Sequence, residues 1–160
     1  NVKTIKEQIA QAAIAAGRDP KEILLCAATK MNDADKVRQA IAAGVDCCGE
    51  NRVQELTSKL SDNAYAGAPV HFIGHLQTNK VKQVVGKVDL IQSVDSTRLL
   101  EAIHKEAARQ GICQDILLEI NIGLEDNKTG FLYEQMNAIL ENMTNYPNVR
   151  VCGFMEIPPI

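Results

Sequence analysis

A chain of 160 residues, 46% hydrophobic and 23% charged, is long enough for one core-forming domain and thin for two. A net charge of −3 argues against a general nucleic-acid binder, which carries a basic excess, but leaves room for one anion in a local pocket. No apolar run approaches bilayer-spanning length and no charged-then-apolar leader opens the sequence, so the expectation is a cytoplasmic protein with no membrane contact.

In chain order, Val2, Ile5, Ile9, Ala12 and Ala13 recur at helical spacing and predict a helix over residues 1–17, stopped at Gly17. "RDPKE" turns the chain into a strand at 23–29. Asp33 reads as the N-cap of a helix reaching Ala43, closed by Gly44. A short strand at 45–48 leads through "GEN" into a helix at 51–60. Strands follow at 69–74, 88–94, 114–122 and 149–155, with helices near 78–85, at 96–111 and at 131–144 between them. Six strands alternating with helices predict a parallel sheet in the α/β class. Two architectures remain at this point, a doubly wound open sheet and a (β/α)₈ barrel, which needs eight units and typically about 250 residues.

The five cysteines read as reduced and structural. Cys26, Cys113 and Cys152 lie in apolar strand-like runs, where a thiol behaves as a small buried hydrophobe. Cys47 and Cys48 are adjacent, a spacing that suits neither a CxxC redox pair nor paired zinc ligands.

In both architectures functional groups gather where strands end. Those ends offer Thr29 and Lys30; Gly49, Glu50 and Asn51; Gly74, His75, Gln77, Thr78 and Asn79; Ser93, Asp95 and Ser96; Asn121, Gly123, Asn127, Lys128 and Gly130; and Met155 and Glu156. The list is dense in hydrogen-bonding side chains, which points to a ligand site at this end. Lys30 has two readings. Apolar flanks can desolvate its ammonium and expose a nucleophilic amine for Schiff-base chemistry, or it simply snorkels into water. His71 and His75 are four apart, but they fall on a strand and in the turn beyond it, and no third ligand is evident, so no metal site is expected. Dinucleotide, Walker and nucleophile-elbow motifs are missing from the sequence.

The segments "LLCAATK", "CGENRVQEL", "VHFIGHLQTNK", "IQSVDS", "INIGLEDNKTGF" and "VCGFMEIPP" occur in order along the whole chain. Together they resemble the pyridoxal-phosphate homeostasis protein family, whose fold is related to the N-terminal domain of alanine racemase. The resemblance implies a TIM-type (β/α)₈ barrel, with about six units in these residues. It implies pyridoxal 5′-phosphate (PLP) as cofactor, held as a Schiff base on Lys30. Asn51, Ser93, Asn121, Met155, Gln77 and Asn79 match further cofactor-lining positions. Family members continue through two more strands carrying the phosphate-binding segments, so 1–160 is expected to be one barrel domain, C-terminally truncated or incompletely observed. The implied function is intracellular PLP homeostasis with little or no catalytic turnover, as a monomer, with PLP and PLP-dependent apoenzymes as partners. The alternatives are a PLP-dependent amino-acid racemase or decarboxylase, a cofactor-free Schiff-base aldolase, and a non-catalytic scaffold in which Lys30 is merely solvated.

Overall fold

The computed structural model describes residues 1–123 and 129–158. Asn127 and Lys128, two of the expected strand-end residues, lie outside that range. The chain divides into two compact units, Asn1–Val70 and His71–Ile160.

In the first unit, helix α1 (Val2–Ala15) starts at Asn1, whose side chain accepts from the Thr4 amide. Strand β1 (Cys26–Ala28) pairs in parallel with β2 (Cys47–Glu50). The ladder is shorter than the apolar run 23–29 because Leu25 N donates to Asp46 Oδ2 at 2.7 Å instead of to a neighbouring strand. Lys6 on α1 meets the same carboxylate at 2.7 Å and holds Asp46 below the usual carboxylate range, so α1 is tied to the entry of β2. Helix α2 (Ala34–Ala42) begins at Asp33, which accepts from Lys36 N as the sequence predicts. Helix α3 (Val53–Ser61) follows β2. Both helices pack on β2, and Val37, Cys48 and Leu56 are fully enclosed.

In the second unit, β3 (Val70–Phe72), β4 (Leu90–Val94), β5 (Gln114–Glu119) and β6 (Val149–Met155) lie side by side in sequence order, every pair parallel. Phe72, Ile91, Val94, Ile116 and Leu118 form the buried sheet face. Helix α4 (Thr97–Gln110) covers it with Leu99, Leu100 and Ile103, capped by Ser96 at its start and by Gly111 in the left-handed region at its end.

Two expected helices take another form. The stretch Thr78–Gln83 is a 3₁₀ segment, six residues long, that buries Val81 ahead of Gly86. The stretch 131–144 contains a single α-turn region, α5 (Met136–Glu141), between 3₁₀ segments. The cysteine expectation also changes. None of the five cysteines forms a disulfide, but Cys113 and Cys152 are exposed and Cys26 is half-buried, while Cys47 and Cys48 are the buried pair. Cys152 is exposed together with Arg150 and Phe154, every second residue along β6. Burial pushes the Cys48 thiol up to about 11, with Cys47 beside it adding to the shift, so it is inert as a nucleophile at neutral pH.

Candidate functional site

Thr29 ends β1 and is buried; Lys30 follows in the turn and is exposed. Thr29 is held at every polar atom. Its amide donates to Gly49 O at 2.9 Å, and its carbonyl accepts from Lys59 Nζ at 2.7 Å. Its hydroxyl has one proton to give, and that proton goes to Glu50 Oε1, the nearer of two acceptors. On the other side of Lys30, Met31 N donates to Glu55 Oε2 at 2.7 Å, while Met31 itself sits at φ 61°. Asn32 closes the turn, its side-chain amide donating to Lys30 O at 3.0 Å. Lys30 Nζ makes no hydrogen bond or ion pair among the described residues.

The buried lysine is Lys59. Its side chain is 7% exposed, and its ammonium meets Glu50 Oε1 at 2.7 Å, Thr29 O at 2.7 Å and Glu55 Oε2 at 3.5 Å. Tyr65 donates its hydroxyl to the same Glu50 oxygen at 3.2 Å. Burial, and then the Glu50 charge, raise the Tyr65 phenol above its ordinary value, so it remains a donor. The Met31 amide, seconded by Lys59, holds Glu55 below the usual carboxylate range.

Asn51 follows β2 as Lys30 follows β1, and the register Ala28↔Gly49 sets the two at the same level on neighbouring strands. Its Oδ1 is buried without a hydrogen-bond partner among the described residues, as is Glu50 Oε2. A buried acceptor left open costs free energy unless a ligand or solvent group meets it.

In the second unit the polar strand ends make contacts of their own. Ser93 is buried in β4 and gives its hydroxyl proton to Gly74 O, pinning the turn after β3. Asp95 meets His75 Nδ1 at 3.0 Å and accepts from Ser96 Oγ at 2.9 Å. Asn121 is buried just beyond β5, with its amide donating to Phe131 O at 3.0 Å. Met155 closes β6 half-buried, and its carbonyl accepts from Ile120 N at 2.9 Å. Gln77 and Asn79 lie at the start of the 3₁₀ segment after β3, both exposed. Glu119 lies at the end of β5; burial raises its carboxyl, against a hydrogen bond from Thr129 Oγ1 at 3.0 Å.

Sequence reasoning therefore found the strand-end residues but missed Lys59, Glu55, Tyr65 and Glu119. One signal for Lys59 was readable: it falls three residues after Leu56, on the apolar side of α3, where a solvated lysine does not belong.

The model of the family described as alanine racemase, N-terminal domain, matches residues 1–159. The chain belongs to this family. The pyridoxal phosphate homeostasis protein of Aquifex aeolicus (strain VF5) is 40% identical over 155 residues, 97% of this chain and 68% of that one. Among solved structures, an unknown protein from Bifidobacterium adolescentis superposes with a TM-score of 0.90 at 36% identity, covering 98% of this chain and 67% of that one. PipY of Synechococcus elongatus PCC7942, solved with PLP bound, gives a TM-score of 0.79 at 30% identity, covering 95% and 71%. The expected α/β class and its TIM-type barrel relationship thus hold for this chain.

Proposed function

We propose that this chain binds pyridoxal 5′-phosphate covalently through Lys30 and serves intracellular PLP homeostasis, with little or no catalytic turnover. The observation that carries the proposal is the pairing of an unengaged primary amine, rooted in a fixed turn at the end of β1, with the open buried acceptor of Asn51 on the next strand. When bound, PLP supplies an aldehyde that condenses with a primary amine and releases water. The chain's own part is to fix the root of that amine, leave its proton to surrounding water, and offer Asn51 to a donor group of the ligand. The family relationship supports the reading: the Aquifex relative is named for PLP homeostasis, and PipY was solved with PLP.

By the same resemblance Ser93, Asn121, Met155, Gln77 and Asn79 are proposed as further cofactor residues. Ser93 can serve only as an acceptor while its proton is given to Gly74 O. PLP-dependent apoenzymes are the proposed recipients, and the protein is proposed to act as a cytoplasmic monomer. Among the described residues no helix is long and apolar enough to cross a membrane.

Incubation with PLP, reduction with borohydride and peptide mapping test the assignment. The adduct is expected on Lys30 and is expected to disappear in Lys30→Ala. A stoichiometric covalent adduct surviving in Lys30→Ala would overturn it. Steady racemisation or decarboxylation of an amino acid by the loaded protein would replace the carrier reading with an enzyme.

A further inference from the structure

We infer that Glu55 and Lys59 of α3 are positioning residues that hold the backbone on either side of Lys30 and so set where its amine is presented. The inference rests on Lys30 being the PLP-binding amine.

The two side chains are four residues apart on one helix face and reach opposite sides of Lys30. Lys59 takes the carbonyl before it and Glu55 the amide after it, each at 2.7 Å. Both contacts carry full charge, which makes them stronger than neutral hydrogen bonds. The turn needs such a hold, because Met31 at φ 61° occupies a region that costs a non-glycine residue free energy. Met31 gets no help from its side chain, which is 86% exposed. Lys59 is in turn saturated: its three N–H groups face Thr29 O, Glu50 Oε1 and Glu55 Oε2. Glu50 Oε1 also receives the Thr29 hydroxyl and the Tyr65 hydroxyl, so the ammonium cannot swing away without stranding a buried carboxylate. The result is an exposed side chain on a fixed root. The fold orders that root before any aldehyde arrives, so less of the amine's freedom is left to be lost when it reacts.

Glu55 gives the cleaner test, since its side chain is 24% exposed and its loss strands no enclosed charge of its own. Three forms are compared: wild type, Glu55→Ala, and Glu55→Gln, which keeps an acceptor for the Met31 amide. In the protein without PLP, hydrogen exchange at the Met31 amide is expected to quicken about tenfold in Glu55→Ala and to stay near wild type in Glu55→Gln. The rate of borohydride-trappable PLP addition to Lys30 is expected to fall about tenfold in Glu55→Ala and to recover in Glu55→Gln. Faster Met31 exchange with an unchanged rate of addition would overturn the inference and leave the contact a matter of stability alone. Unchanged exchange at Met31 would overturn it as well. If wild type itself takes no PLP on Lys30, the cofactor proposal fails, and with it the positioning role; the Met31 exchange data would then describe a turn clamp only.

Discussion

At the scale of single residues, the most sensitive position in the first unit is the buried ion pair of Glu50 and Lys59. The carboxylate is fully enclosed and the ammonium nearly so; Glu50 Oε1 takes the ammonium and the Thr29 and Tyr65 hydroxyls, while its Oε2 has no partner among the described residues. Removing one partner leaves the other as a bare charge in a low-dielectric surrounding. Lys59→Met is therefore expected to destabilise the protein by about 3–5 kcal/mol, measured from urea unfolding midpoints. Tyr65→Phe removes one of three donors to Glu50 and is expected to cost only about 0.5–1.5 kcal/mol in the same measurement. Glu55 adds a pH dependence. Its folded-state pKa lies below its ordinary 4.5, so its stabilising contribution is complete above that value and is lost as the pH falls through the lower folded value. Glu55→Gln is expected to flatten that part of the acid unfolding curve, checked by thermal melts across the range. Lys30 and Asn51 were legible in the sequence because strand ends in α/β folds are predictable. For Lys59 only its misplaced position on the apolar side of α3 was readable; its partner was not, because the pattern of a short helix does not show the carboxylate on the neighbouring strand. The cysteines erred the other way: Cys152 sits in an apolar run, but it falls on the exposed side of the β6 alternation with Arg150 and Phe154.

At the scale of elements, the site depends on how each strand is stopped. The end of β5 is shaped by a returning segment: Phe131 N donates to Glu119 O at 2.8 Å and Asn121 N donates to Phe131 O at 3.0 Å. The return passes so close that a Cβ on Gly130 would lie 2.8 Å from Asn121 N and 3.0 Å from Ile120 C, and the glycine sits at φ +119°. Gly130→Ala is expected to destabilise by about 1–3 kcal/mol and to disturb Asn121, read by thermal unfolding and by the Asn121 amide resonance. The order and type of the strands followed from the sequence because short apolar runs between helical patterns leave little choice. Helix type did not follow at 78–83 and 131–144, where the apolar spacing is compatible with both i+3 and i+4 bonding and only a few residues are available.

At the scale of the whole molecule, the strands and the family assignment agree on an α/β fold of the alanine racemase N-terminal kind. The amine proposed to bind the cofactor contributes nothing to holding that fold together. The Lys30 side chain is exposed and its amine makes no hydrogen bond or ion pair among the described residues, so Lys30→Ala is expected to leave the stability of the PLP-free protein within about 0.5 kcal/mol of wild type. Added PLP is expected to raise the melting temperature of wild type in proportion to the logarithm of its concentration, and to do so much less in Lys30→Ala. Calorimetry with and without PLP checks both statements. Family resemblance reached this level directly, since six ordered segments specify an architecture that periodicity alone left between two choices.

The enclosure of Lys59 also determines which amines of this protein an aldehyde can find. Aldehydes discriminate poorly among lysines, and a protein that handles one must survive its own ligand. Here the lysine that props up the turn is shut inside, with all its protons in use, while the lysine proposed to meet the ligand stands outside and is structurally expendable. Reductive methylation of the native protein should accordingly label Lys30 early and Lys59 only upon unfolding, which makes Lys59 a built-in reporter of whether the first unit is intact.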